Sequence, residues 1–257
     1  MSASYPEIPF FEVQDLHQTF GSQTILRGVS FSVPRGGTTV ILGGSGAGKS
    51  VLLKHLNGLH HPRSGIVRVE GTDISTLSER ALTPIRRKIG VLFQDGALFD
   101  SMNVGENVAF PLREAGEKNE ETLGARVAHV LELVGLQGQE QKMPDVLSGG
   151  MRKRVSLARA IAGNPDCLLY DEPTAGLDPI LSANIAGLIA RMKSELRLTS
   201  VLVTHHLGVM RAVADQVIFL KEGRIHFAGS PARLEESPDP AILEFLAADR
   251  IEVSRHD

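Results

Sequence analysis

The chain of 257 residues has one cysteine, no tryptophan and two tyrosines. A single thiol excludes an internal disulfide framework and points to a reducing compartment. Cys167 sits in the apolar run 167–170 and is read as a small buried side chain, not a nucleophile. Charge of one sign is scarce: 27 Lys and Arg against 30 Asp and Glu leave a net charge of −3. That balance gives no electrostatic ground for nucleic acid as a partner. The opening residues 1–6 lack the charged-then-apolar layout of a signal peptide. No apolar run approaches the ~20 residues of a membrane span. The expectation is a soluble chain that meets a membrane only through a partner. Internal repeats and low-complexity tracts are lacking as well.

What is present is 42% hydrophobic and 22% charged residues, the balance of a globular protein. The length suits one large α/β domain or a core plus a subdomain. Gly43, Gly44, Ser45, Gly46, Ala47, Gly48, Lys49 and Ser50 fit G-x-x-x-x-G-K-[ST], a phosphate-binding loop. The apolar run 39–42 before it reads as a buried strand, and residues 51–56 after it as a helix with an apolar face. Glycine tolerates the backbone angles of such a loop and lets N–H groups approach phosphates. The helix N-terminus adds partial positive charge and unpaired donors. Lys49 can then reach the outer phosphates of a nucleoside triphosphate, and the Ser50 hydroxyl can ligate Mg²⁺.

Strand signals run from residue 11 to 93. Residues 11–16 alternate, 24–27 with 29–33 read as further strand, and 66–69 alternate between Gly65 and Gly71. Residues 1–10 read as a loose lead-in. Gly58 is placed to end the helix after the loop. Pro84 interrupts a short helical piece over 75–85, and residues 88–93 form a buried strand ending at Gln94. From about 95 to 165 helical signals dominate: 104–112, stopped near Pro111; 122–134, with Leu123, Val127, Val130, Leu131 and Val134 at helical spacing; and 149–162. Strands return at 167–170, 199–203, 216–220 and 224–228, with helices at 179–196 and 207–215. The expected organisation is one domain: a nucleotide-binding core over 10–94 and 166–235, a helical subdomain over 95–165, and an extension over 236–257. The extension carries a helix at 240–248 and a polar tail.

Two further stretches carry chemistry. The apolar run 167–170 ends in Asp171 and Glu172. A carboxylate at a strand's C-terminal end beside a phosphate loop suits Mg²⁺, so Asp171 is assigned to the metal. Glu172 follows it and can polarise a water in line with the γ-phosphate. Leu147, Ser148, Gly149 and Gly150 open a helix, putting a hydroxyl and exposed N–H groups at the positive end of a helix dipole.

In their order and spacing, Phe20, residues 43–50, Gln94, residues 147–150, Asp171, Glu172, residues 175–178 and His205 resemble the ATPase subunit of an ABC transporter. The resemblance covers roughly residues 10–235. It implies a P-loop NTPase cassette of α/β class: a RecA-like core, an N-terminal antiparallel β subdomain and a helical insertion. It further implies ATP and Mg²⁺ as cofactors and a homodimer as the working unit. Phe20 corresponds to the aromatic that stacks on adenine, and Val51 extends the nucleotide-binding segment. Gln94 corresponds to the residue that meets Mg²⁺ or water and couples to the membrane subunit. Ser148, Gly149 and Gly150 correspond to the signature motif that binds the γ-phosphate held by the other protomer. Asp178 corresponds to an interface aspartate, or it simply caps a helix. His205 corresponds to the switch histidine. Lys49, Gln94, Glu172 and His205 are the expected catalytic set, and Ser50, Gln94 and Asp171 the metal set. His206 stands where an acid is usual, which leaves open which of the two histidines acts. Met151 stands where Gln is commoner.

Residues 48–54, 93–99, 103–104, 107–112 and 147–154 resemble more narrowly the ATPase of MCE-associated, Mla-type phospholipid transporters. That likeness implies an integral membrane permease, an MCE-domain lipid-binding subunit and a small cytoplasmic accessory subunit as partners. It also implies a peripheral position on the cytoplasmic face of a bacterial inner membrane. Leu98, Phe99 and Met102 either line a docking groove for the permease or belong to the core.

Overall fold

Phe11, Val13 and Leu16 are buried on β1 (Phe11–Phe20), although a strict alternation would bury residue 15. The register slips between Val13 and Leu16, and Asp15 takes φ +47°. The bulge restores Leu16 to the inner face. The computed structural model describes residues 8–253, in two units: 8–85 with 203–253, and 86–202.

In the first unit, β1 pairs antiparallel with β2 (Gln23–Val33) on one side and β4 (Ser64–Val69) on the other. The short β5 (Thr72–Asp73) completes the order β2-β1-β4-β5. Residues 24–27 and 29–33 together form β2, as expected. Gly28, at φ +80°, lies opposite the β1 bulge, where an added Cβ would come 3.0 Å from Asp15 Oδ1. Phe10 is no lead-in residue: its ring is fully buried edge-on to Phe11, and its N–H donates to Val33 O at 2.8 Å. Residues 1–7 of that lead-in lie outside the described residues.

The wholly buried β3 (Thr38–Leu42) runs parallel to β9 (Gln216–Lys221), which pairs antiparallel with β10 (Arg224–Gly229). α1 (Lys49–Leu56) follows the loop after β3 and ends as expected. Gly58, at φ +69°, donates to His55 O at 3.1 Å. α2 (Glu79–Arg86) runs through Pro84. α7 (Leu207–Val213), α8 (Pro231–Glu235) and α9 (Pro240–Val253) complete this unit. α9 packs on β9 through Phe245 against Phe219, 5.2 Å between centroids, with Ile242 and Leu246 buried. It extends to Val253, past the expected end at 248, while 254–257 lie outside the described residues.

His55 is a buried basic side chain in this unit. Its Nδ1–H donates to Val51 O at 2.8 Å, and burial pushes the imidazole down to about 4 from the usual 6.5. The unfolded chain therefore takes up this proton before the folded one does. Its contribution is full above pH 6.5 and fades as the pH falls towards 4. The expected loss approaches ~3 kcal/mol across that window. Chemical denaturation at pH 7, 5.5 and 4.5 should show the decline. A His55→Gln chain should lose less over the same range, and equal slopes for both chains would remove the assignment to His55.

In the second unit, β6 (Ile89–Leu92) runs parallel to β7 (Cys167–Asp171), with Ile89 opposite Cys167. No strand lies between them. The chain there forms α3 (Val104–Glu114), α4 (Glu120–Leu133), a 3-10 turn at Pro144–Val146, and α5 (Gly149–Ala162). Val104 and Val108, Leu123, Val130 and Leu131, and Val155, Leu157 and Ile161 fill the space among the three helices. Each fully buried side chain of this size contributes about 1.5–3 kcal/mol relative to exposure. Gly90 lets β6 approach α5, since a Cβ would sit 2.3 Å from Ala160 O. After β7 come α6 (Pro179–Leu196) and β8 (Thr199–Thr204), the last two residues of which belong to the first unit. Cys167 is fully buried and its thiol is pushed up by desolvation, in keeping with an inert apolar role.

Neither Pro84 nor Pro111 stops its helix. Each removes one backbone donor. Yet the turn after Pro111 closes regardless, with Ala115 N–H donating to Pro111 O at 3.1 Å and Glu117 N–H to Leu112 O at 3.1 Å.

Candidate active site

The phosphate loop leaves β3 through a tight constriction. A Cβ on Gly43 would lie 2.2 Å from Leu220 O of β9, so no side chain fits there. Gly46 and Gly48 need glycine for another reason, with φ +76° and +101°. Gly44 is different. An added methyl would meet nothing within 4 Å, and its φ lies outside the left-handed range. Neither packing nor backbone requires glycine there, and the open space is a cradle that a phosphate oxygen can enter. Lys49 is buried, and its Nζ donates to Gly43 O at 2.8 Å and Gly44 O at 3.1 Å. The ammonium is thereby held over the loop. The N-cap of α1 is Gly48, which has no side chain to cap the helix. Ser50 and Val51 are half-buried on its first turn.

Phe20, the last residue of β1, is 44% exposed and therefore not a core side chain. His60 packs edge-on to it, 5.4 Å between centroids. Desolvation and the nearby Lys54 charge lower the His60 pKa, favouring the neutral ring. Sequence reasoning missed His60, because a histidine in a polar loop after a helix carries no periodic or motif signal. His205 is exposed and His206 half-buried, with ring centroids 4.0 Å apart. His206, the residue before α7, donates its N–H to Thr204 Oγ1 at 3.1 Å.

In the second unit, Asp171 is the last residue of β7 and Glu172 the next; both are buried. Glu172 takes φ +44°, a left-handed backbone uncommon for a residue with a Cβ. Such an outlier is held in place by its surroundings and is found disproportionately at working sites. Ser148 caps α5, accepting from Met151 N at 3.3 Å, and is itself exposed. Gly149 and Gly150 sit against Leu177 and Leu181, at 3.4 and 3.5 Å from an added Cβ. Asp178 caps α6 by accepting from Leu181 N at 2.8 Å. Gln94 is exposed just past β6, and its carbonyl accepts from Lys153 Nζ. Leu98 and Met102 are half-buried and Phe99 is 40% exposed, so none of the three is a core residue.

Thus Phe20, residues 43–51 and the two histidines belong to one unit. Gln94, residues 148–150, Asp171, Glu172 and Asp178 belong to the other. Each unit carries oxygen donors of the kind a hard cation such as Mg²⁺ takes: the Ser50 hydroxyl in the first, the Asp171 carboxylate and the Gln94 amide in the second. Lys153 is the second residue that sequence reasoning missed. A lysine at a helix start reads as solvated, yet this one is buried with Gly150, Leu157 and Ile161 at spacings of three, four and four. A charge inside a helical apolar row was the available signal.

Residues 26–175 match the family model described as ABC transporter. The chain is 44% identical over 240 residues to the probable ribonucleotide transport ATP-binding protein mkl of Mycobacterium leprae, covering 93% of this chain and 69% of that protein. It is 41% identical over 238 residues to the methionine import ATP-binding protein MetN of Brucella abortus, covering 93% and 64%. Among solved structures, cbiO1 of Clostridium perfringens, part of the ABC transporter complex cbiONQ, matches with TM-score 0.82 and 32% identity over 90% of this chain and 92% of that one. The dimeric ATP-binding cassette MJ0796 bound to ADP and Pi matches with TM-score 0.80 and 31% identity over 86% and 98%. A glycine cradle between a buried strand and a helix, with a carboxylate-tipped strand in the same chain, defines a phosphate-loop nucleotide-binding protein. This chain belongs to the ABC transporter family, as the ATP-binding cassette that serves a transporter as its ATPase motor.

Proposed function

We propose that the chain works as a homodimer that closes on two ATP molecules and drives a phospholipid transporter. Each ATP is held by residues 43–50 of one protomer and by the Ser148 end of α5 of the other. The observation that carries this reading is the exposure of Ser148 at the start of α5. A helix end with outward N–H groups is made for an anion that its own chain does not have to supply. Charge-assisted contacts of roughly 1.5–3 kcal/mol each then favour closure only while the γ-phosphate is present. Hydrolysis removes them, so nucleotide state sets the dimer's position. In this reading Phe20 stacks on adenine, Lys49 and Val51 lie along the phosphates, and Ser50, Asp171 and Gln94 hold Mg²⁺. Glu172 accepts the proton of the attacking water, His205 senses the γ-phosphate and Asp178 lies at the dimer contact. Residues 95–165 act as the helical subdomain that meets the permease.

The phospholipid cargo, the MCE-domain and accessory partners and the inner-membrane position rest on residues 48–54, 93–99, 103–104, 107–112 and 147–154. Likeness to MetN supports a second cargo class, a small polar solute such as an amino acid. Purifying the complex from its native membrane and identifying the co-purified subunits and ligand separates the two. An MCE-domain subunit with bound phospholipid supports the first, and a soluble solute-binding protein the second. The sandwich has its own test in mixed dimers. Ser148→Arg on one protomer should abolish the site whose Lys49 lies on the other, lowering turnover by about half or more. Damage confined to the substituted protomer's own loop would exclude the shared site.

A further inference from the structure

Three side chains of α5 reach the same stretch of backbone beyond β6. Lys153 Nζ donates to Gln94 O. Ser156 Oγ donates to Gly96 O at 2.8 Å, and Arg159 Nη2 donates to the same oxygen at 2.8 Å. Arg159 Nη1 donates to Ala97 O at 2.7 Å. Residues 153, 156 and 159 lie three apart, so they follow one side of the helix. The backbone they hold is locally distorted: Gly96 has φ +77° and Ala97 φ +47°. A Cβ on Gly96 would stand 2.7 Å from Ser156 Oγ. The turn is thus shaped to the helix face. Lys153 and Ser156 are buried, and burial lowers the pKa of both Lys153 and Arg159.

The grip continues outward. The Arg159 guanidinium lies over the Phe99 ring at 5.9 Å, and Phe99 meets Phe110 at 4.7 Å. Asn107, fully buried on α3, accepts from Phe99 N at 2.8 Å and donates to Phe99 O at 3.0 Å and Met102 O at 2.9 Å. From Gln94 to Met102 the exposed segment is therefore anchored by side chains of α5 and α3, and these anchors use its carbonyl groups.

We propose that Lys153, Ser156 and Arg159 form a clasp that makes residues 94–99 move with α5 as one body, so that docking of the Ser148 end is delivered to the Phe99 surface. They are positioning residues; none of them needs to touch nucleotide. The proposal rests on the reading of Ser148 as a γ-phosphate contact and extends it to a specific mechanical link. Loop and helix side chains of this kind can carry coupling between sites only if they hold a defined arrangement, and this cluster does.

The test uses the full chain carrying Glu172→Gln, so that added Mg-ATP persists, with amide hydrogen exchange read by segment. In this parent, ATP should slow exchange in both 148–153 and 94–99, on the order of tenfold for a typical coupling. Adding Ser156→Ala and Arg159→Leu should keep the response at 148–153 and abolish it at 94–99. Arg159→Lys alone keeps the charge but cannot bridge two carbonyls, so it should reduce the response at 94–99 partially and leave the fold intact. Equal responses at both segments in parent and variants overturn the clasp and leave the shared-site reading standing. A parent in which neither segment responds to ATP overturns both.

Discussion

Glu172→Gln is expected to retain ATP binding while turnover falls about 10²–10⁴-fold, the usual weight of a positioned proton acceptor. That corresponds to about 3–5.5 kcal/mol of lost transition-state stabilisation. The amide keeps the shape of the carboxylate but cannot accept a proton from water at neutral pH. Glu172 sits at φ +44°, and Gln tolerates that conformation about as well as Glu, so thermal stability should move by less than ~0.5 kcal/mol. With ATP, the variant should accumulate as a closed dimer, measured by size-exclusion chromatography with light scattering. Near-normal turnover would exclude Glu172 as the base. Glu172→Gly offers a contrast: it should inactivate equally yet relieve roughly 1–2 kcal/mol of left-handed strain. The two measurements separate a residue kept for chemistry from one kept for folding.

Lys49→Ala is expected to abolish tight ATP binding. The ammonium is buried and already held over the loop by Gly43 O and Gly44 O, so it needs little reordering to meet a phosphate. Two charge-assisted bonds of about 1.5–3 kcal/mol each imply an affinity loss on the order of 10²–10⁴-fold. Isothermal titration with ATP under Mg²⁺ measures it directly. Lys49→Met keeps most of the buried stem and should lose nearly as much, which assigns the effect to charge rather than packing. Unchanged affinity in both variants would sink the phosphate-loop assignment.

Much of this architecture was legible because its signals are local. Strand β3 ends in the apolar run 40–42 just before the loop, Gly58 stands where a left-handed residue ends α1, and the apolar row of α4 repeats at helical spacing. The elements that escaped are those decided by tertiary contact. Phe10 belongs to the core because Val33 offers its carbonyl, which nothing in residues 1–10 announces. The β1 bulge at Asp15 and the positive φ of Gly28 opposite it leave no mark in the alternation of residues 11–16. Pro84 and Pro111 read as stops because propensity counts the missing donor and not the bonds made around it.

The same division holds at the site. The glycines, Lys49, Ser50 and the acidic pair declare themselves by spacing. Lys153 and His60 do not, since each matters through a partner distant in the chain: Gln94 for one, Phe20 for the other. The left-handed backbone at Glu172 is also invisible in sequence, where glutamate gives no hint of positive φ.

The pairing of β3 with β9 has a consequence for how this protein is made. Thr39 and Gln216 are 177 residues apart, and the carbonyl of Leu220 closes over Gly43. At about 5–20 residues per second, the ribosome needs roughly 10–35 s to supply that partner after the phosphate loop has emerged. Nucleotide cannot rescue the nascent chain during that interval, because the floor of its cradle has not been synthesised. The wholly buried β3 waits without that partner until roughly the last sixth of the sequence arrives, an interval in which an uncovered strand edge favours aggregation.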